Sequence, residues 1–214
     1  LIRPIPILVA AILLSRPGMP KAEANLYART LNEVAIQHDF DPLTAVAIVH
    51  FETHWFPGLV SADGEDHGLG QVRARFIGAC RSDEDPVNAP SSACLAVKAS
   101  LRDGVTNLRR MGSIIGANKD LCKEKTGTAK THQWLAGYQG YGAPGRGQWC
   151  TPGEKTWMVL GYYNDLVAKL VPKPPPKAKA KPAPKPKPVA PTPKAAKDAD
   201  PKAKARTKPA ARRR

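Results

Sequence analysis

Prolines and positive charges crowd the C-terminal end of this 214-residue chain. Residues 172–214 hold 12 of its 22 prolines, and 15 Lys and Arg against 2 Asp. Proline fixes φ and removes a backbone donor, so a segment this rich in it enters neither a helix interior nor the middle of a sheet. The segment also has almost no large apolar side chain to bury, and is expected to be a disordered basic Lys/Pro/Ala tail, extended and partly polyproline II. The rest is nearly neutral: residues 25–171 carry 15 basic against 15 acidic groups, and residues 1–24 carry 3 against 1. The formal charge of +15 therefore belongs mostly to the tail. The part able to fold has the length of one ordinary domain with a full core, and two large domains do not fit.

At the other end, Arg3 precedes an apolar run from Ile5 to Leu14, and a polar stretch then leads to Ala22-Glu23-Ala24. The pattern predicts a secretory signal peptide over residues 1–24, cleaved after Ala24. The run is about half the roughly 20 residues a membrane-spanning helix needs, so an anchor is the weaker reading. Export to the periplasm or the extracellular space is consistent with the cysteines. Cys80, Cys94, Cys122 and Cys150 include no C-x-x-C pair, which argues against zinc, and an even count suggests two disulfides. Four cysteines allow three pairings. The sequence-local one, Cys80 with Cys94 and Cys122 with Cys150, is preferred, and buried free thiols are the alternative. No His, Asp and Glu grouping has metal-ligand spacing, so neither a metal nor another cofactor is expected.

Between leader and tail the hydrophobic period is helical. Leu26, Ala28, Leu31, Val34 and Ala35 predict an amphipathic helix over 23–38. Asp41 then offers an N-cap and Pro42 a first helical position for an apolar helix over 43–53. Further helices are expected at 92–111, 130–139 and 153–171, and only 68–73 could form a short strand or turn. The predicted fold class is mainly α, with at most a small β-ribbon.

One residue breaks this pattern. Ala45, Ile48, Val49 and Glu52 fall at i, i+3, i+4 and i+7, which puts a carboxylate on an apolar helix face. Desolvation there, and the negative end of the helix dipole, both favour the neutral acid. Phe51, Trp55 and Phe56 lie close by in sequence. These are the surroundings of a carboxylic acid kept protonated for general acid catalysis at a glycosidic oxygen. A glutamate that merely reaches out to solvent at the helix end is the bland alternative.

The neighbourhood resembles the soluble (SLT-type) lytic transglycosylases, which share the lysozyme-like fold, over about residues 25–165. The family's apolar helix ending in Glu-Ser is matched by Ala47-Ile48-Val49-His50-Phe51-Glu52-Thr53. Its Gly-Leu-Met-Gln is matched by Gly68-Leu69-Gly70-Gln71, and its Ala-x-Tyr-Asn-x-Gly resembles Ala136-Gly137-Tyr138-Gln139-Gly140. The resemblance implies a peptidoglycan enzyme in which Glu52 protonates the bond leaving N-acetylmuramic acid and then activates that sugar's own 6-hydroxyl. In that scheme Gln71, Tyr138 and Gln139 contact the glycan, and Thr53 orients Glu52. Gly70 in place of methionine is expected to open the cleft floor to a different sugar contact, and Gln139 in place of asparagine keeps the amide.

Asp66-x-Gly68-Leu69-x-Gln71 also looks like the segment carrying the second carboxylate of animal-type lysozymes. Asp66, beside Asp63 and Glu65, is thus a possible partner of Glu52 in a hydrolase, or part of a solvated acidic loop. His54 and His67 read as surface or cleft-rim residues. The expected partners are glycan strands for the core and anionic wall polymers for the tail, with a monomeric chain. A nucleic-acid binder would also suit the basic tail; the leader and cysteines argue against it, and no physiological nucleic acid is expected. A non-catalytic wall-binding protein is opposed by the presence of Glu52 with its hydroxylated neighbour.

Overall fold

A computed structural model describes residues 2–140 and 149–172 of the chain. Within them it is mainly helical: α1 (Ile5–Ser15), α2 (Lys21–His38), α3 (Pro42–Thr53), α4 (Ser92–Ser100), α5 (Gly104–Thr126), α6 (Thr131–Tyr138) and α7 (Glu154–Leu170). A two-residue ribbon, β1 (Asp66–His67) and β2 (Val72–Arg73), is antiparallel, with Asp66 opposite Arg73 and His67 opposite Val72. Two short 3-10 turns follow it, Ala74–Phe76 and Gly78–Ser82. Apart from Pro172, the expected tail lies outside the described residues. Among the described residues no helix is long and apolar enough to cross a membrane.

The centre is α3. Every residue from Pro42 to Val49 is buried, as a helix that is apolar on all sides must be. Its start follows the expected chemistry: the Asp41 carboxylate accepts from the Leu43 amide at 3.1 Å, and Pro42 fills the first turn. That same carboxylate also accepts from the Arg3 guanidinium, at 3.1 Å from Nε to each oxygen and 2.5 Å from Nη2, and from the Tyr163 hydroxyl at 3.0 Å. One residue therefore joins the beginning of the described chain, α3 and α7.

One sequence boundary needs correction. The single helix expected over 92–111 is broken at Leu101–Asp103, where the Asp103 side chain accepts from the Thr106 amide at 2.8 Å and starts a new helix. That helix, α5, then runs on to Thr126 through Gly112 and Gly116, which sequence propensity disfavours. The glycines serve packing. A Cβ on Gly112 would lie 2.7 Å from Val34, and one on Gly116 would lie 2.6 Å from His38, so their bareness lets α5 lie close against α2.

The N-terminal segment takes part in the same packing. The compact unit reaches back through the apolar run, which forms α1 and buries Leu8, Val9, Ala11 and Ile12 against α2, α3 and α7. Ala24, the residue expected to precede a cleavage, is fully buried inside α2. An apolar run of ten residues serves a core helix as readily as a leader. Both disulfides form in the expected local pairing, Cys80–Cys94 and Cys122–Cys150.

A chain starting at Asn25 should be markedly less stable than one keeping residues 1–24, since each large apolar side chain of α1 contributes about 1.5–3 kcal/mol of burial. At about 2–4 °C per kcal/mol for a domain of this size, calorimetry should find the melting temperature lowered by about 10 °C or more. Equal melting temperatures would show that α1 is dispensable to the fold.

Candidate functional site

A cleft of about 550 Å³ lies where the end of α3, the ribbon and its turn, α5, α6 and the start of α7 converge. Five of the six site residues picked from sequence line it: Glu52, Asp66, Gln71, Tyr138 and Gln139. A larger cavity of about 650 Å³, between the end of α2 and α5–α6, contains none of them.

Glu52 ends α3 with its side chain 12% exposed. Its surroundings are less apolar than the helix face suggests. The Lys155 ammonium, on the first turn of α7, lies 2.9 Å from each carboxylate oxygen. The residue expected as a neutral acid is thus one member of an ion pair, with Lys155 the other. Nothing near Glu52 in sequence hints at this residue.

Thr53 is the exception among the six. It is buried, lies away from the cleft, and donates from its hydroxyl to the carbonyl of Leu69 at 3.1 Å. Rather than orienting Glu52 directly or touching a ligand, it ties the end of α3 to the ribbon turn. That turn, Gly68 to Gln71, is closed by the Gln71 amide on the Gly68 carbonyl at 2.9 Å, with both residues at positive φ, 71° and 48°. The Gln71 side chain lines the cleft and also donates to the Gly68 carbonyl at 3.0 Å.

The turn hangs on a residue that the sequence reading missed. Asn107, wholly buried on α5, accepts from the Gly70 amide at 2.7 Å and donates to the carbonyls of His67 at 2.7 Å and Leu101 at 2.8 Å. Its fixed position excludes any side chain at Gly68, whose Cβ would lie 2.3 Å from the Asn107 amide. A signal existed. Gly104, Asn107, Leu108, Met111 and Ile115 form one buried stripe, so Asn107 breaks an apolar face as Glu52 does.

The space expected beside Gly70 is already filled. A Cβ there would come within 2.8 Å of both the Met111 sulfur and the Tyr138 hydroxyl, so a methionine from α5 occupies the floor that the family's own methionine would take. Tyr138 donates to the Gly70 carbonyl. Burial, then the charges of Glu52 and Asp66, push its pKa well above the ordinary phenol value, so it stays a neutral donor. The Gln139 carbonyl oxygen accepts from Thr156 at 2.7 Å, while its buried Nε2 has no partner among the described residues.

Asp66 is committed elsewhere. Directly across the ribbon, Arg73 donates to its two oxygens at 3.0 and 3.1 Å, and Arg73 and Arg75 also pair with Glu65. Asp63 caps the preceding loop, accepting from Ser61 and from the Glu65 amide, and these bonds hold its carboxyl below the usual range. The acidic segment is therefore a hydrogen-bonded and ion-paired loop with one member, Asp66, on the cleft. His54 is exposed as expected, but His67 is buried, and burial followed by the charge of Lys98 lowers its pKa. No group of metal-ligating side chains occurs among the described residues.

Behind Glu52 the backbone is held in a conformation that L residues seldom adopt. His54 and Trp55 both have positive φ, 48° and 66°. The connection after α1 holds them there. Trp55 is fully buried and donates from its indole to Ser15 at 2.8 Å, while Arg16 donates to its carbonyl. Ser15, accepting from Trp55, has its own proton to give to His50 Nδ1 at 2.8 Å. Burial, and then the neighbouring His54, lower the His50 pKa, which suits a neutral ring accepting at that nitrogen.

No family model, curated protein or solved structure matches the chain.

Gly70→Met, the change toward the family pattern, should destabilise the protein by about 1–3 kcal/mol through overpacking. Adding Met111→Ala should recover a large part of the loss, because the two sites share one volume. Additive losses in a denaturation double-mutant cycle would contradict this filling of the cleft floor.

Proposed function

We propose that the chain is an exported peptidoglycan lytic transglycosylase of the SLT type, with a lysozyme-like catalytic domain that cleaves the β-1,4 bond between N-acetylmuramic acid and N-acetylglucosamine. The observation that carries the reading is the setting of two carboxylates on one cleft. Glu52 sits at the end of a buried helix with a neutral tyrosine beside it, whereas Asp66 is clamped by Arg73. The lyase reaction needs one protein carboxylate, and a two-carboxylate hydrolase would need the clamped one as well.

In this scheme the protonated Glu52 gives its proton to the glycosidic oxygen as the bond from that oxygen to C1 of N-acetylmuramic acid breaks. The resulting carboxylate takes the proton of the same sugar's 6-hydroxyl, and the hydroxyl oxygen bonds to C1. A 1,6-anhydro end forms, the acid is restored and no water is consumed. The substrate's own N-acetyl group stabilises the cationic centre, which makes a second carboxylate unnecessary. Tyr138 and the Gly68–Gln71 turn form the floor, Gln71 offers its amide to the glycan, and Gln139 lines the cleft beside it. Two disulfides suit an oxidising compartment. The basic segment 172–214 would hold the enzyme near anionic wall polymers, through a salt-sensitive attraction.

Glu52→Gln should melt like the wild type and lose about 10² to 10⁴ in turnover of purified peptidoglycan, the usual worth of a general acid. Asp66→Asn should keep most of the activity. A Glu52→Gln variant retaining more than about a tenth of the turnover would contradict the assignment. An Asp66→Asn loss of several kcal/mol in transition-state stabilisation would favour the two-carboxylate hydrolase.

A further inference from the structure

We infer that Lys155 makes carboxylates on the glycan a requirement of the reaction, by leaving Glu52 for a substrate carboxylate when substrate binds. The inference rests on the assignment of Glu52 as the acid.

The starting point is a conflict within the cleft. General acid catalysis needs a proton on Glu52, yet the Lys155 ammonium bridges both of its oxygens at 2.9 Å. The ammonium occupies both oxygens, so Lys155 must move before Glu52 can reach a glycosidic oxygen. It is able to move: its side chain is 41% exposed, on a flexible four-carbon stem. It also stands on the first turn of α7, the helix end where the macrodipole disfavours a cation and favours an incoming anion.

The other charged groups of the cleft indicate what would draw it away. Arg73 is spent on Asp66 and Glu65. Arg81, from the second 3-10 turn, and Arg110, from α5, line the cleft without a carboxylate within ion-pair distance among the described residues. The lining thus sets Arg73, Arg81, Arg110 and Lys155 against Glu52 and Asp66, an excess of positive charge. Such a cleft is complementary to an anionic glycan, and a carboxylate bound between Arg110 or Arg81 and α7 would compete with Glu52 for the ammonium. Among the described residues, the titratable groups lining the cleft with Glu52 are Lys155 from α7, Tyr138 from α6, Asp66 with Arg73 from the ribbon, Arg81 from the second 3-10 turn and Arg110 from α5; His50 and His54 flank it on its own segment. Tyr138 stays neutral and Asp66 stays paired, so Lys155 is the group whose movement changes the charge beside the acid. Lys155 is in this account a positioning residue that sets specificity through Glu52.

The test compares untreated peptidoglycan with the same material after its carboxylates have been converted to methylamides by carbodiimide and methylamine. The full-length wild type should turn over the amidated substrate at least tenfold more slowly. Lys155→Met should treat the two substrates within about threefold of each other. Lys155→Arg should restore the discrimination. Equal wild-type turnover of both substrates, or a Lys155→Met variant that keeps the wild-type preference, overturns the inference. A wild type that releases no fragments even from untreated peptidoglycan overturns instead the assignment of Glu52 beneath it.

Discussion

The buried side chain of Asn107 is the contact on which the geometry of the cleft depends. Its one amide group joins three backbone positions: the Gly70 amide and the carbonyls of His67 and Leu101. A buried backbone group left unpaired costs about 1–3 kcal/mol, so these bonds help anchor a ribbon of only two residues per strand. From the turn the constraint passes to α3 through the Thr53 hydroxyl on Leu69, and so to the residue beside Glu52. From Gly70 it passes to α6 through the Tyr138 hydroxyl. Three elements far apart in sequence thereby converge on one carboxylate.

The opposite side of Glu52 is held by α1 and the connection after it. Two consecutive non-glycine residues at positive φ would relax if left alone, at a cost of order 1–3 kcal/mol each to retain. Ser15 and Arg16 grip Trp55 by its indole and its carbonyl, and Arg3 grips the Asp41 cap at the far end of α3. The catalytic helix of the proposed enzyme is thus pinned at both ends by residues whose sequence context reads as a leader. An apolar run flanked by basic residues has the same appearance whether it crosses a translocon or lies in a core, because both select for helical, uncharged residues. The polar contacts that tie this segment to α3 and to Trp55 are long-range and invisible to a local pattern.

Much of the fold was legible for a plain reason: helical periodicity is local, and α2, α3, α6 and α7 fall within a few residues of their expected spans. The break between α4 and α5 was signalled by Asp103-Gly104 but overridden by a continuous apolar pattern, and the extension of α5 was masked by glycines whose role lies in α2. Within the site, Glu52 was legible because it contradicts its own helix face, and Asn107 could have been found by the same test. Thr53 was read as a neighbour of Glu52, whereas adjacent helical residues point about 100° apart, and this one faces the ribbon turn. The filling of the Gly70 space by Met111, and the pairing of Glu52 with Lys155, link residues 41 and 103 positions apart; no spacing rule reaches that far.

The central claim is that Glu52 directs the substrate's own hydroxyl, rather than water, to C1. Mass spectrometry of the soluble fragments that the full-length chain releases from purified peptidoglycan tests it most directly. The account predicts fragments ending in 1,6-anhydro-N-acetylmuramic acid, each one water lighter than its hydrolysed counterpart. Predominantly reducing ends would contradict it and make water, activated with the help of Asp66, the nucleophile.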